Sequence, residues 1–125
     1  MKKVITTDKA PKPIGPYSQA IQFGNFLFVS GQVAINPSDG QLVTINIIRE
    51  TNQLMENIGA ILSEAGYGFE NIVKTTIFLK DMNNFAAVND VYSTYFKDNF
   101  PARETVEVSA LPKDVNVEVS VIAAK

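Results

Sequence analysis

Between Ile45 and Ala65, apolar side chains recur at Ile47, Ile48, Leu54, Met55, Ile58, Ile61, Leu62 and Ala65, the three-and-four spacing of one helical stripe. A stripe of this kind must be buried against another layer, so the flanking sequence has to supply one. Before it, "SQAIQF" and "FLFVSGQVAI" surround "GN", a two-residue hairpin signal, and "NPSDGQ" marks a second turn. After it, Gly66 sits where a helix C-cap is expected, and "NIVKTTIFLK" reads as a strand bounded by "DMNN". A second amphipathic helix is predicted from about Asn84 to Phe96, with Phe85, Val88, Val91, Tyr92, Tyr95 and Phe96 as its apolar side and Asp81 or Asn83 as its cap. A short strand at Val4 to Thr6 and two strands near Arg103 to Ser109 and Asn116 to Ala123 complete the chain, while "APKPIGPY" is a turn-rich loop. The predicted order is β-β-β-α-β-α-β-β, an α+β layout with both helices on one sheet face.

At 125 residues the chain is expected to be one domain, residues 1–125, with enough length for a real core. The absence of cysteine excludes a disulfide framework and a thiol nucleophile. The absence of histidine excludes a Ser-His-Asp triad or Cys-His pair and argues against a catalytic zinc or iron site, so no metal and no cofactor is expected. A net charge of −2 and a pI near 5.0 argue against nucleic acid as the main partner, because phosphate neutralisation needs a basic surface. No apolar run approaches the roughly 20 residues of a membrane span, and "MKKVITTDKAPKP" lacks the apolar segment of a signal peptide. The expected location is the cytoplasm.

The chain has nine lysines and only two arginines, and one of those, Arg103, follows "FPA" at the mouth of a strand. A guanidinium is a planar fork that grips a carboxylate through two parallel hydrogen bonds, which a lysine cannot imitate. Alternation in the last two strands puts Arg103, Thr105, Glu107 and Ser109 on one side of the first, with Val106, Val108 and Ala110 opposite. In the second, Asn116, Glu118 and Ser120 oppose Val117, Val119 and Val121. Reading the valines as helix-packed predicts a shared polar face carrying Arg103, Thr105 and Glu118. A tight hairpin on "LPKD" would set Glu107 against Glu118, so the two strands are expected not to be simple neighbours. The strand "FLFVSGQVAI" is apolar on both sides, with Phe26 and Phe28 opposing Leu27 and Val29. If helices cover one face, a partner subunit or the N-terminal loop must cover the other.

Taken in order, "IGPYSQA", "FVSGQ", "DMNNFAAVNDVY", "FPAR" and "LPKDVNVEV" resemble the Rid family of reactive intermediate deaminases, also called YjgF, and within it the RidA type of 2-iminobutanoate/2-iminopropanoate deaminase. The resemblance runs from about residue 4 to residue 124. It implies a chorismate-mutase-like fold with a six-stranded mixed sheet, assembled as a homotrimer with sites between subunits. Carried over residue by residue, it implies that Arg103 clamps a substrate carboxylate and Glu118 positions the hydrolytic water or shuttles protons. Tyr17 would line the cleft from a neighbouring subunit, Ser30 and Gly31 would approach the ligand, and Asn89 would face the pocket. Many members have Ser-Cys after "PAR", whereas this chain has Glu104 and Thr105. Thr105 is expected to alter the pocket wall while contacting ligand through its backbone amide, and Glu104 is expected to point away from Arg103.

The implied activity is hydrolysis of 2-imino and enamine acids, such as 2-iminobutanoate and 2-iminopropanoate, to 2-keto acids and ammonia. These imines already hydrolyse in water, so positioning and one general acid/base suffice. Two rival readings remain: a small-carboxylate-binding regulatory module, which the same arginine would serve, and a translation-inhibiting, endoribonuclease-like protein, disfavoured by the acidic pI and the missing histidine.

Overall fold

The computed structural model describes residues 1–125. Its elements are β1 (Lys3–Ile5), β2 (Ala20–Phe23), β3 (Phe26–Gln32), α1 (Ile47–Glu64), β4 (Ile72–Leu79), α2 (Phe85–Ser93), β5 (Ala102–Glu107) and β6 (Val117–Ala124), in the predicted order. The six strands form one mixed sheet in the order β1-β2-β3-β6-β4-β5, antiparallel except for the β4–β5 pair. Gly24, at φ +60, opens the β2–β3 hairpin where the "GN" signal places it.

Helix α1 starts where the Asn46 side chain accepts a hydrogen bond from the Arg49 N–H at 2.8 Å, and it ends at Ala65 with Gly66 in the left-handed region at φ +81. Leu54, Met55, Ile58, Ile61 and Leu62 are fully buried along its stripe, each contributing roughly 1.5–3 kcal/mol of apolar burial. Helix α2 is shorter than predicted, ending at Ser93. It follows directly from the turn Met82–Asn84, which the Asp81 carboxylate caps by accepting from the Asn83 N–H at 2.9 Å.

One sheet face carries Leu27, Val29, Ile77, Leu79, Val117, Val119 and Val121, all buried in the cluster that includes the α1 stripe. The opposite face has no layer over it. Phe23, Phe26 and Phe28 are 56%, 49% and 45% exposed there, beside Val4 and Val106. The N-terminal loop does not cover these rings.

Strand β4 lies between β5 and β6, so Glu107 and Glu118 are not cross-strand neighbours, as their like charge requires. The predicted common face for Arg103 and Glu118 is wrong, however. Arg103 pairs with Thr75 and Thr105 with Ile77, on the helix-covered side; Glu118 pairs with Phe78, on the open side. Alternation within β5 is as predicted, but its polar side is the one turned toward α2. Val106 faces the uncovered surface instead. Val106 is 40% exposed there, whereas Val117, Val119 and Val121 pack in the core with α1, because alternation defines two sides of a strand without saying which one the helices cover.

Candidate active site

Glu118 occupies the second position of β6, and its place is set from below by a buried carboxylate. Glu50, in the first turn of α1 and fully buried, accepts from the Asn116 N–H and side-chain amide at 2.8 Å each and from the Val117 N–H at 3.3 Å. The N-terminal turn of a helix favours a negative charge there. The start of β6 is thus held rigidly one residue before Glu118. Above it, β3 changes register between Val29 and Gln32, and Gly31 lies in this bulge. A Cβ on Gly31 would fall 2.0 Å from Glu118 Oε2, so glycine is what lets the carboxylate lie against the strand.

The Glu118 carboxylate accepts no hydrogen bond from the chain and forms no ion pair. Burial pushes its pKa above the ordinary value of 4.5. It lines a cavity of about 370 Å³ together with Tyr17, Ser30, Gly31, Lys12 and Lys113. The loop segment Thr7–Pro11, which leads to Tyr17, is held by the buried Gln19. This side chain accepts from the Thr7 N–H at 2.7 Å and donates to the carbonyls of Thr7, Ala10 and Pro11. Ser30 joins the same scaffold, donating its hydroxyl to the Ser18 carbonyl at 2.6 Å and its N–H to the Gln19 carbonyl at 2.9 Å. With both donors engaged, Ser30 offers the cavity an oxygen acceptor.

Arg103 and Asn89 lie elsewhere, in a second cleft that they line with Tyr92, Ser93, Phe100 and Pro101. Phe85, Asn89 and Tyr92 are at i, i+4 and i+7 of α2 and so share a helix face. The Arg103 guanidinium carbon is 5.1 Å from the Tyr92 ring centroid and 5.8 Å from that of Phe85. Neither ion pair of the chain, Lys74–Glu104 or Lys80–Asp114, involves it. Glu104 points away from Arg103, as alternation predicts, and is held on the open face by Thr76 Oγ1 at 2.8 Å and Lys74 Nζ at 3.1 Å. The bond from Thr76, then Lys74, lowers its pKa. Thr105 shares the Arg103 side of β5, but its hydroxyl is shut off from solvent without a partner and does not line the cleft.

The candidate residues therefore fall into two groups. Tyr17, Ser30, Gly31 and Glu118 form one; Arg103 and Asn89 form the other, across the sheet. Glu118 and Arg103 pair with β4 residues three apart, about 10 Å along the strand and on opposite faces. Within one chain, the unpaired Glu118 carboxyl and the unpaired Arg103 guanidinium cannot meet each other. Gln19 and Glu50 were not singled out from sequence. Their only signal was a polar residue of marginal interest beside an apolar run.

A family model described as endoribonuclease L-PSP matches residues 7–125. The 2-iminobutanoate/2-iminopropanoate deaminase of Mus musculus is 49% identical over 125 residues, spanning 100% of this chain and 93% of the mouse protein. Among solved structures, YyfA of Yersinia pestis, a protein of unknown function of the conserved Rid protein family, is similar with a TM-score of 0.97 at 54% identity over 100% of both chains. The structure of E. coli TdcF with bound serine is similar with a TM-score of 0.95 at 37% identity over 98% of each chain.

Proposed function

This chain belongs to the endoribonuclease L-PSP family, which includes the Rid proteins, and on that premise we propose that it hydrolyses 2-imino acids such as 2-iminobutanoate and 2-iminopropanoate to 2-keto acids and ammonia. Its fold is the six-stranded, chorismate-mutase-like arrangement that the resemblance implies. The observation that carries the reading is an unpaired Glu118 carboxyl with a raised pKa, seated over Gly31 in a cavity, in a chain whose unpaired Arg103 lies on the opposite sheet face.

The site is completed between subunits. In a homotrimer, the apolar face bearing Phe26 and Phe28 is covered by a neighbour, and the Glu118 half-site of one copy meets the Arg103 half-site of the next. Arg103 grips the substrate carboxylate with its fork, Asn89 lies beside it, and Tyr17 closes the wall. Glu118 takes a proton from water as the oxygen attacks the imine carbon and returns it to nitrogen, giving a carbinolamine; it then takes the carbinolamine hydroxyl proton and passes it to the amino nitrogen, which leaves as ammonia. The C–N bond breaks, giving 2-keto acid and ammonia from imine and water. A raised pKa suits a carboxyl that must accept and return one proton. Serine bound to TdcF supports a pocket suited to a small α-carboxylate.

The test is to add purified protein to threonine dehydratase and threonine, following keto acid and ammonia. The wild type should accelerate imine hydrolysis, and Arg103→Ala and Glu118→Ala should each lose at least about 100-fold, the usual reach of one acid/base or carboxylate-holding group. Folded Arg103→Ala with full activity would overturn the mechanism. Carboxylate binding without turnover by the wild type would favour the regulatory module instead.

A further inference from the structure

The contacts made by Arg103 within its own chain have a purpose that its proposed role alone does not explain. An arginine that must wait for a substrate in another subunit's cleft faces a conformational problem. Its side chain is among the most freely rotating, and each rotamer frozen on binding weakens affinity. Arg103 has no carboxylate or carbonyl to hold it. What lies against it is aromatic: the Tyr92 ring at 5.1 Å and the Phe85 ring at 5.8 Å, both within cation–π range of the guanidinium carbon.

The two rings differ in how they are fixed. Tyr92 is buried, and its hydroxyl bonds to Thr75 Oγ1 at 2.9 Å, where Thr75 is the cross-strand neighbour of Arg103 itself. Its ring also packs on Phe96 at 4.8 Å between centroids. Tyr92 is therefore tied to the strand beside the arginine and cannot swing away. Phe85 is partly exposed, one of the large apolar groups that the fold leaves open to solvent. Its position two helical turns before Tyr92 brings both rings to the same side, with Asn89 between them. Aromatic faces hold a guanidinium while leaving all its N–H donors unspent, which a carboxylate partner would not do.

We propose that Phe85 and Tyr92 are positioning residues that hold the Arg103 guanidinium in its carboxylate-gripping orientation before substrate arrives. This rests on Arg103 being the carboxylate clamp of the proposed reaction. The aromatic pair acts on ground-state capture of the carboxylate rather than on proton transfer at Glu118. Phe85 is the better probe, because Tyr92 is also a core residue whose loss disturbs packing. Phe85→Leu keeps an apolar side chain and removes the ring; Phe85→Tyr keeps the ring.

The experiment compares wild type, Phe85→Leu and Phe85→Tyr in imine hydrolysis, with calorimetric titration of 2-oxobutanoate in parallel and thermal melts as a folding control. Phe85→Leu should raise KM and the 2-oxobutanoate Kd by roughly three- to tenfold, the cost of freezing one flexible side chain on binding, with kcat within about twofold. Phe85→Tyr should restore both. Unchanged KM and Kd in folded Phe85→Leu, or a fall confined to kcat, would overturn the inference. If the wild type binds 2-oxobutanoate but turns nothing over, the deaminase reading fails while the Kd ratio still decides the role of the aromatic pair. A wild type that binds no carboxylate overturns both.

Discussion

The Glu118 carboxyl is raised above 4.5 because burial penalises its charged form, while Gly31 leaves it the space to lie against β3. This has a sign on activity and on stability. As a base it must be ionised, so the acid limb of the rate profile should bend at a pH above 4.5, and Glu118→Gln should abolish that limb along with most of the rate. For stability, a carboxyl raised in the folded state helps folding only in its protonated form. That help is complete below the unfolded value and is lost as pH rises through the raised folded value. Glu118→Gln should therefore melt at a higher temperature than wild type at pH 7, and the advantage should disappear near pH 4; equal melting temperatures at both values would count against burial as the cause of the shift. An active group that lowers stability at the working pH is the ordinary consequence of keeping a carboxylate partly dry.

At the scale of elements, the site depends on β6 starting in a fixed place. Glu50 ties α1 to the start of β6 through three hydrogen bonds, from the Asn116 and Val117 backbone N–H groups and the Asn116 side-chain amide, and takes part in no ion pair. Glu50→Ala should cost about 3 kcal/mol in urea unfolding, because the buried Val117 N–H and the part-buried Asn116 donors lose their acceptor. A loss under about 1 kcal/mol would show that water replaces the carboxylate at no penalty, and that β6 is held by its neighbours β3 and β4 instead. On the other side of the cavity, the buried Gln19 does the same work for a loop rich in proline, which has few backbone N–H donors to hold itself. The two half-sites are therefore built on different supports: a clamped strand and a stapled loop for Glu118, a helix face for Arg103.

At the scale of the whole molecule, two facts belong together: an apolar sheet face without a layer over it, and two incomplete half-sites on opposite faces. The proposed homotrimer would account for both, with each copy offering one half-site to each neighbour. If Arg103 and Glu118 act from different subunits, mixing equal amounts of unfolded Arg103→Ala and Glu118→Ala chains and refolding them should recover activity. Each interface in a randomly mixed ring has a one-in-four chance of pairing an intact Arg103 with an intact Glu118, so about 25% of wild-type activity should return. A mixture as inactive as its parents would overturn a site shared between Arg103 of one copy and Glu118 of the next. Glutamate in place of Phe28 should separate the copies and abolish activity together with assembly, measured by sedimentation.

The local code was legible because it is local. The hydrophobic periods, the Gly66 helix end, the Gly24 turn and the side-to-side alternation of β5 and β6 all follow from neighbours a few residues apart. The like charge of Glu107 and Glu118 argued against β5 and β6 as simple neighbours, and β4 lies between them. The sequence also marked Arg103 and Glu118 as residues whose chemistry needs a partner. It could not say which face either would occupy, because alternation defines two sides of a strand without saying which one the helices cover. That depended on strand order: once β4 inserts between β5 and β6, parallel to one and antiparallel to the other, the registers Thr75–Arg103 and Phe78–Glu118 send the two groups to opposite sides. Only the tertiary structure could separate them, because strand order is set by long-range packing that no local pattern records.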